Sequence, residues 1–341
     1  MKNILFAAAI LTAALFASCD KNTETLAPVT PDAGTQVTIT LSGAEGGTRA
    51  FFDTTAKAET WESTLSSLAV FAFDSGDNLI IRRDFTAAEL VAKSATFSLP
   101  KSSAGTSCSF YAVANYDVGA VRTKAALLAL VESAAVEYNG TFAEVSAVAK
   151  RTSGFVMSGS KTQSIGAVNS TTSVGITLRR TVAKVALQTV IDPTFAQKYA
   201  GTITINSVKL SKGASQSSVI AGSTVSLGAM SFTHTQTPGT ASGKYNTLFY
   251  LYENGALTAG NRVLLEINAT YDLDGSSTTT NDRSEVTYSV ELSGKAAGEI
   301  QRNGYYRIAA NITGLVGQDC TVSVTVADWE TPTTQTVDLG A

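Results

Sequence analysis

The chain has 341 residues, a formal net charge of −3, 27 glycines and only 16% charged residues. That length exceeds one ordinary domain and provides for two, each large enough to bury its own core. The weak acidic balance and the scatter of the 25 Lys and Arg exclude nucleic acid as the main partner, because neutralising many phosphates takes a clustered basic surface.

Lys2 starts a short positive segment, and residues 4–16 form an apolar run too short to remain in a bilayer as a permanent span. The run ends Phe16-Ala17-Ser18-Cys19, small residues before a cysteine, which resembles a bacterial lipoprotein signal. In such a signal the Cys19 thiol is acylated and Cys19 becomes the new N-terminus, and residues 1–19 are expected to be a lipoprotein signal ending at the lipidated Cys19. Of the three cysteines only Cys108 and Cys320 then remain, too few for a disulfide framework, and each reads as a small buried residue. Residues 20–36 are polar and proline-containing, a flexible tether. Val37-Thr38-Ile39-Thr40-Leu41 alternates apolar and polar, a strand with Val37, Ile39 and Leu41 on one face. Gly43-Ala44-Glu45-Gly46-Gly47-Thr48-Arg49 follows, a glycine-rich stretch ending in a basic residue.

Strand-like runs then recur at 68–73, at 79–81 after the turn cluster Asp74-Ser75-Gly76-Asp77-Asn78, at 95–99 and at 109–114. Residues 124–136, rich in Ala and Leu, predict one helix. Further strands are expected at 174–187, 201–210, 246–252, 262–271, 285–292, 305–312 and 321–326. Many short strands with a single helix indicate β-sandwiches and not alternating βαβ units. One long strand near Arg179-Arg180 is expected to leave the first sandwich and enter the second. Arg179 and Lys184, flanking an apolar strand, read as solvated positions. Phe110, Tyr111, Phe249 and Tyr250 read as core aromatics, and Trp329 as a packing anchor at a strand end.

No residues assemble a catalytic pattern. The single histidine, His234, reads as a surface loop residue with no nucleophile motif beside it. One histidine and two remaining cysteines far apart do not make a zinc site. Asp272-Leu273-Asp274-Gly275 has the start of a calcium loop without the downstream bidentate glutamate, so a hairpin turn is the reading. The glycine-rich segments lack phosphate-loop spacing. Neither an enzyme nor a cofactor nor a metal is expected.

Several segments taken in order resemble the FimA-type (type V) fimbrial shaft subunits of Bacteroidota. They are Thr48-Arg49-Ala50-Phe51-Phe52, Phe110-Tyr111-Ala112-Val113-Ala114-Asn115, Phe155-Val156-Met157-Ser158-Gly159 and Leu178-Arg179-Arg180-Thr181-Val182-Ala183-Lys184-Val185. Phe249-Tyr250-Leu251-Tyr252-Glu253-Asn254, Arg302-Asn303-Gly304-Tyr305-Tyr306-Arg307-Ile308 and Ala327-Asp328-Trp329 continue the series. The resemblance implies an all-β fold of two tandem transthyretin-like β-sandwich domains, with a minor helix in the N-terminal domain. The expected divisions are 1–19 signal, 20–49 tether and removable first strand, 50–180 N-terminal domain and 181–341 C-terminal domain.

It also implies an assembly route. The lipoprotein reaches the outer membrane, and an arginine-specific extracellular protease cuts between Arg49 and Ala50, removing the strand that carries Val37, Ile39 and Leu41. A strand from another copy or from an accessory fimbrial subunit then fills the vacated groove, giving a surface fimbrium that supports adhesion to host or bacterial surfaces. Two alternating C-terminal segments are donor candidates, one with Val322, Val324 and Val326, the other with Val337 and Leu339. Two alternatives stay open: an accessory, tip or anchor fimbrial subunit, and a surface glycan-binding lipoprotein that keeps its lipid.

Overall fold

The computed structural model describes residues 34–43, 59–133, 139, 154–222, 230–235, 244–276, 278–294 and 297–315, and the backbone alone of 320–328. In chain order the elements are β1 (Thr35–Ser42), β2 (Leu68–Phe73), β3 (Leu79–Asp84), α1 (Ala87–Ala92), β4 (Ser94–Leu99), β5 (Ser107–Ala114), α2 (Lys124–Leu128), β6 (Val131–Glu132), β7 (Met157–Ser164) and β8 (Thr171–Thr177). They continue as β9 (Arg179–Arg180), β10 (Val182–Ile191), α3 (Phe195–Lys198), β11 (Thr202–Gly213), β12 (Ser217–Ser218), β13 (Met230–Thr235) and β14 (Lys244–Tyr252). The last four are β15 (Leu264–Asp272), β16 (Arg283–Glu291), β17 (Gly304–Ile312) and β18 (Cys320–Asp328).

Apart from β6 and β12, which pair with each other, the strands up to Arg180 form a three-stranded sheet ordered β4-β1-β8 and a five-stranded sheet ordered β3-β2-β5-β7-β9. Their facing sides share one apolar core, with Val37, Ile39, Leu41, Leu99, Val174 and Ile176 from the first sheet against Val70, Phe110, Ala112 and Met157 from the second. β2 reads LAVFAF without alternation because both of its faces are covered and all six residues are buried. Its second face, with Phe71 and Phe73, packs against Leu127 of α2 and against Val219 and Ile220, which follow β12. The strands from Val182 onward form two four-stranded sheets, β14-β10-β17-β18 and β13-β11-β15-β16. Val185, Leu187, Phe249 and Ile308 of one face Ile205, Leu210, Leu265 and Val290 of the other. The architecture is the all-β pair of sandwiches expected from the strand pattern.

Several local expectations are corrected. The predicted helix at 124–136 ends at Leu128, and Val131 and Glu132 pair with Ser218 and Ser217 instead. Glu132 is buried there and accepts from the Thr181 hydroxyl, a tertiary bond that outweighs local propensity. The long strand expected over 174–187 is broken in two places, giving β8, β9 and β10. At Leu178 the chain leaves the three-stranded sheet for the five-stranded one, and after Arg180 it enters the second sandwich. α1 escapes the hydrophobic pattern, although Thr86 and Glu89 form a capping box. Phe110, Phe249 and Tyr250 are buried and Tyr111 is half-buried, as core aromatics. Cys108 is a free thiol sealed in the first core, where burial pushes its pKa up, so it serves packing.

Candidate functional site

β1 lies in the middle of its sheet, antiparallel to β4 and parallel to β8. Ile39 stands opposite Ala95 on one side and Val174 on the other, and Leu41 stands opposite Ile176. Val37 and Ile39 are completely buried and Leu41 is 5% exposed, whereas Thr40 faces solvent. The period of two thus places the three apolar side chains in the core and Thr38 and Thr40 on the other face. Backbone bonds flank the strand on both sides: Gln36 N–H donates to Ser170 O (2.9 Å), Leu41 N–H to Lys93 O (2.9 Å), and Leu178 N–H to Ser42 O (2.8 Å). Burial of the three side chains contributes about 5–9 kcal/mol by area, an upper estimate because the unfolded chain is itself partly compact. Without β1, β4 and β8 would have no remaining partner in this sheet among the described strands. The strand fills a slot with two unpaired edges and an apolar floor.

One end of the slot is closed. Gly43 follows β1 with φ +81°, and a β-carbon built on it would lie 2.3 Å from the carbonyl oxygen of Leu178. Leu178 is the buried corner where the chain changes sheets, and Arg180, two residues on, is completely buried. Arg180 Nε donates to Glu62 O (2.9 Å), and one guanidinium nitrogen to Asn303 Oδ1 (2.9 Å). Glu62, also fully buried, accepts from Lys184 Nζ (2.8 Å) and from the Tyr250 hydroxyl (2.5 Å). Burial, and then the neighbouring Glu62 charge, push the Tyr250 phenol well above its usual range. Trp61 packs on Phe155 and Tyr250, and its indole N–H donates to Glu59 (2.8 Å). The expectation that Lys184 is solvated is therefore corrected: it is 5% exposed and paired, while Arg179 is exposed as expected. A second polar cluster lies at Arg302, which donates to Glu253, Ser217 and the carbonyls of Ser218 and Val219.

The remaining predicted positions divide into two groups. Cys19, Arg49, Ala50, Val337, Leu339 and Trp329 lie outside the described residues. Val322, Val324 and Val326 lie in β18, whose backbone pairs antiparallel with β17 opposite Ala310, Ile308 and Tyr306. Sequence reasoning missed Gly43, Glu62, Arg180 and Asn303. No local signal marked Arg180 or Lys184 as internal, because β9 and β10 do not show in their own sequence which segments cover them.

His234, expected on the surface, is 4% exposed in β13 and stacks on Phe249 with ring centroids 4.2 Å apart. Asp272, Asp274 and Asp282 bring carboxylate oxygens within 4.8 Å of one another at the β15–β16 hairpin. Asp272 is ion-paired there with Arg283 at 2.9 Å, and Gly275 takes φ +68°, in keeping with the turn reading. Among the described residues no helix is long and apolar enough to cross a membrane.

Solved structures of candidate cell-adhesion and fimbrial proteins share this architecture. A candidate cell-adhesion protein from Bacteroides eggerthii superposes with a TM-score of 0.59 at 18% identity, over 88% of this chain and 97% of that one. The tip fimbrial protein Mfa3 from Porphyromonas gingivalis, with C-terminal truncation, gives 0.56 at 12% identity over 87% and 100%. A candidate cell-adhesion protein from Parabacteroides distasonis gives 0.55 at 16% identity over 89% and 98%. At these identities the likeness shows the fold. A search of curated protein sequences found no match. The family profile of Mfa2, described as fimbrillin-A associated anchor proteins Mfa1 and Mfa2, matches residues 27–334. The match extends over most of the chain and supports a fimbrial family without singling out the FimA-type shaft subunits of the sequence resemblance. The chain belongs to the Mfa2 family of fimbrillin-A associated proteins.

Proposed function

We propose that the chain is a structural subunit of a surface fimbrium that assembles by strand exchange at the slot now filled by β1. The observation that carries this reading is the placement of β1: central in its sheet, bonded on both edges, with Val37, Ile39 and Leu41 in the core. A strand so placed and followed by a glycine-rich, arginine-ended segment is suited to removal by one cut. In this reading Cys19 carries the lipid that holds the precursor at the outer membrane. Cleavage between Arg49 and Ala50 then leaves an N-terminal domain to residue 180 and a C-terminal domain from 181. A β-strand from another subunit restores the two edge ladders and the apolar floor. Such a head-to-tail contact does not close on itself and propagates a filament. Of this chain's two donor candidates, the segment of Val322, Val324 and Val326 has its backbone engaged with β17, and the tail bearing Val337 and Leu339 is the other.

The family description favours a second reading, an anchor subunit. An anchor keeps its lipid and leaves Arg49 intact, holding β1 permanently while offering its own donor strand or groove to the neighbouring subunit. Treating the purified, lipid-free precursor with an arginine-specific protease separates the two. A new N-terminus at Ala50 with growth into SDS-resistant ladders is the expected result for a shaft subunit. Resistance at Arg49, or a cut chain that stays monomeric, overturns the shaft assignment in favour of the anchor.

A further inference from the structure

The slot around β1 is not uniform along its length, and its closed end bears on which strands it accepts. Counting inward-facing positions from the N-terminal end, β1 presents Thr35, Val37, Ile39, Leu41 and then Gly43, all buried. The first four have side chains. At the fifth, a β-carbon would sit 2.3 Å from Leu178 O and 3.1 Å from the Thr177 methyl. The first of these is a backbone oxygen in a buried corner, not the end of a flexible side chain. The corner is held independently of β1, because Arg180, two residues on, is tied to Glu62 and Asn303.

We infer that this end is a register stop: a replacement strand of the same polarity must present glycine at the position of Gly43 when its apolar residues fill those of Val37, Ile39 and Leu41. The inference rests on the strand-exchange reading and adds to it the chemistry of the partner. The partner is a segment from another subunit reading small, apolar, apolar, apolar, glycine at alternate residues. A slip by two residues would drive a leucine-sized side chain into Leu178 O, and a slip by one would turn the apolar set to solvent. The stop therefore selects one register out of the several that an alternating strand could otherwise adopt. This chain's own β18 sequence breaks the rule. With Val322, Val324 and Val326 at the three apolar positions, Asp328 falls on the glycine position.

The test uses the full chain with its backbone cut after Arg49, or at an inserted protease site between Ala44 and Arg49, leaving β1 seated but untethered. Displacement of β1 by synthetic strands is then followed by native mass spectrometry. A peptide of residues 35–43 should displace it, and the outward-face variant Thr40→Val should do so equally well. Gly43→Val should be at least about tenfold weaker, as expected for forcing a side chain into a packed wall. A peptide of residues 321–328 should compete poorly, and its Asp328→Gly variant should gain about tenfold. Equal displacement by the Gly43→Val and unaltered peptides overturns the register stop while leaving strand exchange standing. Failure of the unaltered 35–43 peptide under any condition overturns strand exchange and the stop with it.

Discussion

Lys184 and Glu62 meet inside the protein at 2.8 Å, with Tyr250, Arg180 and Asn303 completing the cluster. Two opposite charges taken from water gain little net stability as a pair, but either one left alone is costly. Replacing Lys184 with Ala should therefore destabilise the fold by about 3–5 kcal/mol, because the buried Glu62 would lose its charge partner. The double change Glu62→Gln with Lys184→Met should recover most of that loss, since Gln still accepts from the Tyr250 hydroxyl. Urea unfolding of the three proteins checks both statements. None of this was legible in the sequence. Lys184, between Ala183 and Val185 in a mostly apolar run, has the same local pattern whether its face meets water or another sandwich. His234 misled for the same reason, since nothing nearby in the chain reveals that Phe249 lies beneath it.

At the scale of elements, strands with one buried face were the easiest to read. β1, β11, β15 and β16 alternate, and β2 and the second half of β14, Leu248 to Tyr252, are continuous apolar runs. β7, with the sequence MSGSKTQS, escaped because most of it faces solvent and its place is fixed by pairing with β5. The Ala/Leu-rich segment after Thr123 misled in the other direction, since helix propensity of a few tenths of a kcal/mol per residue yields readily to tertiary pairing. For β1 the buried face leads to a direct prediction. Ile39→Ala should cost about 2–5 kcal/mol, the usual range for emptying a core position. Thr40→Ala on the outward face should change stability by less than about 1 kcal/mol. Denaturant midpoints at constant slope decide this, and a small Ile39 effect would mean that the first core does not depend on β1.

Across the whole molecule, the two sandwiches are joined by more than a linker. Val219 and Ile220 lie in the apolar cluster on the outer face of the five-stranded sheet, and β12 pairs with β6. The Val219 carbonyl accepts from Ser158 and Arg302, and the Lys184–Glu62 pair adds a charged bond between the two halves. Calorimetry should show one cooperative unfolding transition. Val219→Asp, placing a charge among Phe71, Phe73 and Leu127, should split it into two or lower it markedly. A wild-type thermogram already resolved into two transitions would show that the junction does not couple the halves.

The sequence alone determined the all-β class, the strand that carries Val37, Ile39 and Leu41, and the absence of any recognisable catalytic motif, because alternation and composition are local properties of the chain. Only the tertiary structure decided that β1 is central and not an edge, that Gly43 abuts the Leu178 corner, and that Glu62, Arg180 and Lys184 are internal. Each depends on which distant segments share a sheet or a face, and hydrogen-bond partners more than a hundred residues apart leave no periodic trace in the sequence.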